Sequence, residues 1–380
     1  MYKRILTLDK AGRETLFLWG PRQTGKSTLL EQLFPTSPYY DLLLSDVVTR
    51  LQVRPSLLRE ELLAKKPPLK PVIIDEIQKV PALLDEIQWL ITKKNIRFIL
   101  CGSSARKMKR TGVNLLGGRA LRYQLFPLVS AEIPDFDLIR AINHGLVPRH
   151  YLADEPQELI ESYLADYLQH EIAAESLVRN LPSFHRFLEV AAFSNGEIPV
   201  FSNIASDCGV SPPTVKEYFE ILQDTLIGSF CPAYIRRPKR RLVESPKFYY
   251  FDVGIANFLL KRGNIRPGSE SFGKAFEHFI YQELLSHSHY SRKKYPICYW
   301  RTSSQIELDF VLNDAAIALE IKGVPLVQPK HLKGLTAFCE DYKTKKAIVV
   351  SLDPKPRKMG RIDILPWKYF LDQLWNGDIL

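Results

Sequence analysis

Short apolar runs separated by stretches of helical period fill the first third of the chain. The runs at 16–19, 72–74, 98–101 and 121–125 alternate with segments whose apolar residues recur every three or four positions, the pattern of a parallel sheet with crossover helices. Phe126-Pro127-Leu128 closes this section, and 142–168 then reads as helices, with Tyr, Leu and Ile spaced by three and four. From 184 to 230 the order is helix, turn, helix, turn, helix. Cys208-Gly209-Val210-Ser211-Pro212 is the tight turn between 203–207 and 213–224; Ser211 suits an N-cap, and the prolines after it suit a first helical turn. A strand pair is expected around Ile235-Arg236-Arg237-Pro238-Lys239-Arg240-Arg241, leading into the aromatic strand Phe248-Tyr249-Tyr250-Phe251, so the middle of the chain reads as a winged helix-turn-helix. Beyond 272 come a helix, a strand pair around Asn313-Asp314, a helix over about 330–342 and a strand over 347–352. The expected α/β organisation is 1–130, a helical connector over 131–183, the winged helix over 184–262 and a last domain over 263–380.

Composition narrows the class. At about 150 residues per domain, 380 residues predict two or three domains with a large buried core. A hydrophobic content of 46% against 25% charged residues excludes disorder and collagen-like structure. No apolar run approaches the roughly 18 residues of a spanning helix, which predicts a cytoplasmic protein with no membrane partner. The five cysteines are odd in number, scattered and without a C-x-x-C pair, so they read as reduced structural thiols. Lys plus Arg at 52 against Asp plus Glu at 42 gives +10, which favours a polyanion partner. Charge alone does not separate DNA from RNA or an anionic membrane.

Gly20-Pro21-Arg22-Gln23-Thr24-Gly25-Lys26-Ser27 satisfies G-x-x-x-x-G-K-[ST] directly after a strand and directly before a helix that Thr28 opens. A triphosphate needs inward backbone N–H groups, glycines that permit close approach, a lysine on the outer phosphates and a hydroxyl on magnesium. Each role has its residue here, with Ser27 as the hydroxyl, so ATP and Mg²⁺ are the expected cofactors. The apolar run of Pro71-Val72-Ile73-Ile74 ends in Asp75-Glu76, where Asp75 is placed to hold magnesium and Glu76 to orient water. The next strand ends in Gly102-Ser103-Ser104, which sets Ser103 where it can sense the γ-phosphate.

Together with Asp75-Glu76-Ile77-Gln78-Lys79-Val80-Pro81 and Phe98-Ile99-Leu100-Cys101-Gly102-Ser103-Ser104, the phosphate loop resembles the AAA family of prokaryotic ATPases that carry a C-terminal domain of unknown function, DUF4143. The resemblance runs on through Gly117-Gly118-Arg119, Leu125-Phe126-Pro127-Leu128, Phe251-Asp252-Val253-Gly254 and Tyr299-Trp300-Arg301-Thr302. It departs at His144-Gly145-Leu146-Val147-Pro148, where the family has Gly-Gly-x-Pro, and at Thr24 and Ser27, where it more often has Val and Thr. No catalytic group is lost. The resemblance implies an arginine supplied in trans, for which Arg119 is the first candidate and Arg122 and Arg106 the others, and a homo-oligomer, by default a hexameric ring.

In the last domain, Gln305-Ile306-Glu307-Leu308-Asp309-Phe310-Val311-Leu312 and Ala315-Ala316-Ile317-Ala318-Leu319-Glu320-Ile321-Lys322 flank Asn313-Asp314, expected as a two-residue hairpin turn with 312 facing 315. One face then holds Ile306, Leu308, Phe310, Leu312, Ile317, Leu319 and Ile321, and the other holds Glu307, Asp309, Glu320 and Lys322. Asp309 and Glu320 become diagonal neighbours roughly 7 to 8 Å apart, close enough to share a divalent cation. This is the pattern of a PD-(D/E)xK nuclease-like core, with Glu277 on the preceding helix as an added acidic position and Lys322 beside the carboxylates. Whether such a core cleaves or only binds nucleic acid stays open.

The run Arg236, Arg237, Lys239, Arg240 and Arg241 attached to a helix-turn-helix favours phosphate-backbone binding to DNA over a solvated turn or a protein contact. The helix at Thr214-Val215-Lys216-Glu217-Tyr218 lacks a base-reading first turn, which argues against sequence-specific repression. The reading is therefore ATP hydrolysis coupled to binding and remodelling of, or translocation along, branched or duplex DNA. The alternatives are an ATP-controlled switch or scaffold whose last domain only binds a partner, and a DNA-binding regulator without a motor.

Overall fold

The computed structural model describes residues 2–65, 70–104, 116–167, 180–236 and 240–380. Arg106, Arg237 and Lys239 lie outside the described residues. The chain divides into two compact units, one of 6–126 with Asp224–Leu226, the other of 1–5, 127–223 and 227–380.

The first unit is a five-stranded sheet built from β1 (Thr15–Trp19), β2 (Tyr39–Asp41), β3 (Val72–Asp75), β4 (Phe98–Gly102) and β5 (Ala120–Gln124). Its order is β2-β3-β4-β1-β5, and every pairing is parallel. β1, β3 and β4 are buried along their whole length, as strands covered on both faces must be, which is why they read as unbroken apolar runs. Helices α1 (Lys26–Leu33), α2 (Ser45–Val53), α3 (Ser56–Ala64) and α4 (Leu83–Lys94) supply crossovers. α4 buries Leu83, Leu84, Ile87, Leu90 and Ile91, a stripe of period 3.6, and ends at Asn95 in the left-handed conformation. Of these strands, only the three-residue β2 gave no signal in the sequence.

The second unit opens with α5 (Leu138–His144), α6 (Pro148–Leu152) and α7 (Gln157–Tyr167), followed by α8 (Leu181–Ala192), α9 (Phe201–Cys208) and α10 (Pro212–Asp224). The turn between α9 and α10 forms as expected: Gly209 is left-handed, and the Thr214 amide donates to Ser211 Oγ at 3.4 Å. Phe184, Phe187 and Leu188 of α8 meet Val215, Tyr218, Phe219 and Leu222 of α10 in one core. The strand pair that follows is not the expected one. β6 (Gly228–Cys231) pairs antiparallel with β7 (Lys247–Tyr250), and the basic segment lies in the 232–246 connection between them. Among the described residues of that connection no ladder of its own forms, and Pro232 and Pro246, at its two ends, have no N–H to give one. Its backbone bonds instead to the strand at 297–301: Tyr234 N donates to Tyr299 O at 2.7 Å, Val243 N to Arg301 O at 2.9 Å, and Ser303 N to Arg241 O at 2.9 Å.

After α11 (Val253–Leu259) and the long α12 (Glu270–Tyr290) comes a six-stranded mixed sheet of β8 (Ile297–Arg301), β9 (Glu307–Leu312), β10 (Ile317–Lys322), β11 (Lys346–Ser351), β12 (Arg357–Met359) and β13 (Ile362–Pro366). The order is β12-β13-β11-β10-β9-β8, with α13 (Lys333–Asp341) and α14 (Trp367–Asn376) completing the unit. α12 packs Phe272, Phe276, Phe279 and Ile280 against Phe310, Leu312, Leu319 and Ile321, while α13 packs Leu335 and Phe338 with Val311, Ala318 and Val349. Leu308, expected with Phe310, joins the α13 core, as does Ile306 at its margin, next to the register shift between β8 and β9 at Cys298/Trp300. Asp252, of the Phe251-Asp252-Val253-Gly254 motif, is a buried cap that accepts from Leu146 N at 2.6 Å and Ile255 N at 3.1 Å. No helix among the described residues is long and apolar enough to cross a membrane.

Candidate functional sites

The phosphate loop leaves the end of β1 at Gly20, where a Cβ would strike Leu125 O, so only glycine lets β1 and the chain after β5 run this close. Gln23 (φ 59°) and Gly25 (φ 89°) turn the loop through left-handed conformations into α1. Lys26 Nζ donates to Gly20 O at 2.7 Å and Pro21 O at 2.9 Å, holding its charge in the mouth of the loop, and Thr24 Oγ1 closes the turn onto Pro21 O at 2.8 Å. The donors fit a polyphosphate: a cation over the helix N-terminus where anions gather.

Ser27 Oγ donates to Asp75 Oδ2 at 2.6 Å, which brings hydroxyl and carboxylate together at the ends of α1 and β3. This oxygen pair fits magnesium. Tyr39 OH, from β2, donates to the same Oδ2 at 2.6 Å; burial and the Asp75 carboxylate raise its pKa, so the phenol stays protonated. Burial and Asp75 also push the Cys101 thiol well up, in keeping with a structural thiol, and all five cysteines are free. Glu76 follows Asp75 in the left-handed region (φ 56°), a conformation that costs a non-glycine residue and turns its side chain off the strand axis. Ser103 is buried at the end of β4. Gly20 to Thr28, Asp75, Glu76 and Ser103 thus gather at the carboxyl ends of β1, β3 and β4. Arg119 and Arg122 do not join them: Thr15 at the start of β1 pairs with Ala120, so exposed Arg119 lies at the opposite end of the sheet from its own loop.

In the second unit the hairpin register is shifted by two from the expected one. Leu312 faces Ile317 and Phe310 faces Leu319, and the turn is the four residues 313–316, three of them (Asn313, Asp314, Ala315) left-handed. A shift of two preserves the faces. Continued one step, it sets Asp309 opposite Glu320 rather than diagonal to it, and Ile321 N donates to Asp309 Oδ2 at 2.7 Å. Lys322 Nζ lies 2.5 Å from Glu320 Oε1 and 3.9 Å from Asp309 Oδ2. Burial, then the neighbouring Asp309 carboxylate, raises the pKa of Glu320 well above its ordinary value; burial also raises that of Asp309, against Lys322. Glu320 Oε2 is buried with no hydrogen-bond partner, a donor atom fit for a cation. Among the described residues, no group of three or more His, Cys, Asp or Glu side chains is assembled to hold a metal.

Glu277 of α12 enters the same cluster through residues the sequence did not single out. Lys247, the first residue of β7, is 1% exposed and lies 2.5 Å from Glu307 Oε1 and 3.3 Å from Glu277 Oε1. Tyr249 OH donates to Glu277 Oε1 at 2.6 Å. The only available signal was a lysine opening an otherwise aromatic strand. In the basic segment, Arg236 pairs with Asp314, and Arg240 with Glu340 at 2.8 Å and Asp341 at 3.2 Å.

A parallel sheet carrying such a loop, with Ser27 and Asp75 at its mouth, defines a P-loop nucleotide-binding domain. Models of known families agree: an AAA domain matches 12–133, a domain of unknown function, DUF8612, matches 135–266, and another, DUF4143, matches 272–370. The chain belongs to the AAA-type ATPases with a C-terminal DUF4143 domain. Uncharacterized proteins of Mycobacterium bovis and Mycobacterium tuberculosis are each 23% identical over 316 residues, covering 81% of this chain and 70% of theirs. A crystal structure of a signal transduction ATPase with numerous domains, bearing a tetratricopeptide repeat sensor, from Pyrococcus horikoshii is 12% identical; the match covers 74% of this chain and 46% of that one, at a TM-score of 0.21. At that score the likeness carries no argument about fold.

Proposed function

We propose that this ATPase couples hydrolysis at the first unit to binding and remodelling of, or translocation along, branched or duplex DNA by the second. The observation that carries the hydrolytic part is the 2.6 Å contact of Ser27 with Asp75 beneath the loop that holds Lys26. In this reading Lys26 neutralises the outer phosphates, Ser27 and Asp75 hold magnesium, Glu76 orients the attacking water and Ser103 meets the γ-phosphate, while a bound magnesium nucleotide supplies the phosphoryl group and its countercharge. Arg119, remote from its own loop, serves a neighbouring subunit in a hexameric ring. The fold of β9, β10 and α12 is read as a PD-(D/E)xK core, in which Asp309 and Glu320 would hold magnesium with Lys322 as the charge beside them, whether the core cleaves nucleic acid or only binds it; α9, α10 and the β6–β7 pair are read as a winged helix.

The deciding experiment compares ATP turnover with and without branched and duplex DNA in the parent, Lys26→Ala and Glu76→Gln. Turnover should rise with DNA, Lys26→Ala should lose ATP binding, and Glu76→Gln should bind ATP yet nearly stop hydrolysing it. A second reading, an ATP-controlled switch or scaffold, is favoured by the pairing of Arg236 and Arg240 with carboxylates, which removes charge from DNA. Turnover indifferent to DNA decides for the switch.

A further inference from the structure

One residue of the Asp75–Pro81 motif to which no role has been given, Gln78, joins the two ends of the hydrolytic site. Glu76 turns left-handed, and the short 3₁₀ turn Ile77–Lys79 that follows folds residue 78 back beneath the site. Gln78 Nε2 donates both to Glu76 Oε2 and, at 3.1 Å, to Ser103 Oγ. The amide orientation is dictated by its partners, because a flipped Gln78 would set Oε1 against a carboxylate. An amide nitrogen only donates, so Ser103 Oγ accepts here, and the serine's own proton is left to be given to another acceptor. Gln78 is 5% exposed, and its Oε1 is buried without a partner. That oxygen lies against Gly102, where any Cβ would strike Gln78 and Trp19, so the absence of a side chain at 102 makes the room. A buried amide left with one unsatisfied oxygen carries a desolvation cost, which the two donated bonds offset only in this position.

The geometry points to Gln78 as a positioning residue that ties the water-orienting carboxylate of Glu76 to the phosphate-sensing hydroxyl of Ser103. Through one rigid amide, the proton of Ser103 is aimed at the γ-phosphate oxygen and Glu76 is held to one rotamer, so the bound phosphate and the attacking water are set together. The consequence is specific: Gln78 acts on the rate of hydrolysis and not on nucleotide affinity. This inference rests on the reading of Glu76 and Ser103 given above.

The test measures ATP binding and steady-state hydrolysis in the full chain for Gln78→Glu, which keeps the shape but removes both donors, and for Gln78→Met, which keeps the length without adding charge. Each should lower kcat by about 10²-fold, the scale of one lost preorganised donor, and leave the ATP dissociation constant within about threefold. Gln78→Met decides if a second carboxylate beside Glu76 prevents Gln78→Glu from folding, as judged by ATP binding. In a Glu76→Gln background, adding Gln78→Met should cost nothing further, because the two act as a unit. A kcat within about twofold of the parent in the folded variant, a loss confined to KM, or a full multiplicative loss in the double variant overturns the inference. Glu76→Gln alone separates the two failures: if it turns over like the parent, the reading of the site falls, and if it stops while Gln78→Met does not, only the role of Gln78 falls.

Discussion

Replacing Lys247 by Met is the most informative single perturbation of the second unit. The ammonium is fully buried between Glu307 at 2.5 Å and Glu277 at 3.3 Å, with the Tyr299 ring 5.4 Å away. Methionine fills nearly the same volume, so packing is kept and the cation alone is lost. Removing one partner of a buried pair costs about 3–5 kcal/mol, because the remaining charge is left uncompensated. Two features pull the value to the lower end. The Glu277 and Glu307 side chains are 19% and 27% exposed, and each keeps another partner, Tyr249 OH at 2.6 Å and Arg301 at 3.4 Å. We expect about 3 kcal/mol, which in a unit of this size lowers Tm by about 6–12 °C. Three of the five tryptophans, Trp300, Trp367 and Trp375, lie in the second unit, so its melting is followed by their fluorescence. Adding Glu277→Gln and Glu307→Gln to Lys247→Met should recover at least half of the loss. A single variant within about 1 kcal/mol of the parent, or a triple variant no more stable than the single, refutes the account of Lys247 as the countercharge.

Further outcomes follow from the same geometry. Burial pushes the Glu283 carboxyl up from 4.5 to about 7; its contribution to stability is full below the unfolded value and is lost as pH rises through 7. Trp375, whose indole donates to Glu283 at 2.7 Å, should report that titration in its emission, and Glu283→Gln should abolish it. Burial lowers His278 from 6.5 to about 4, and its ring nitrogens meet the Tyr250 carbonyl and the Asn195 amide. Its contribution is therefore present above pH 6.5 and lost as pH falls towards 4, and its ring proton shifts should stay those of neutral imidazole at pH 6. Glu320→Gln should stabilise the second unit at pH 8 by removing the like-charge pair with Asp309, as chemical denaturation will measure, unless added Mg²⁺ or Mn²⁺ already stabilises the parent. Alanine at Arg236, Arg237, Arg240 and Arg241 should flatten the salt dependence of DNA binding by about two units rather than four, since each released phosphate contributes about 0.9 and Arg236 and Arg240 are already paired.

What the sequence could disclose depended on how local the information was. The phosphate loop is contiguous, and its strand and helix flank it directly, so Lys26 and Ser27 were legible together with the acidic end of β3. The faces of β9 and β10 were legible from Asp309 to Leu312 and from Ile317 to Lys322, because side-chain direction repeats every two residues and the actual register differs from the expected one by two; Ile306 and Leu308, expected with Phe310, lie in the other core beside the register shift at Cys298/Trp300. The turn itself was misjudged because Asn313-Asp314 fits a two-residue loop, while Ala315 also takes a left-handed conformation. Lys247 was invisible for another reason. Its partners Glu277 and Glu307 are 30 and 60 positions away, and nothing in a strand beginning Lys247-Phe248 says that the lysine is inside. Where the basic segment bonds was not legible, because clustered arginines and prolines do not say which strand the backbone beside them will meet, here Tyr234 and Val243 on Tyr299 and Arg301.

These bonds decide where this protein can be cut. β8 is the outermost strand of its sheet, and the main-chain groups of Tyr299 and Arg301 are met by the 232–246 connection. A fragment beginning at the start of the matched DUF4143 region would bare that edge and lose Lys247 with it. Its open strand would offer a template for sticking to other copies, so such a fragment should be recovered as aggregate, whereas one beginning before Gly228 carries its own cover.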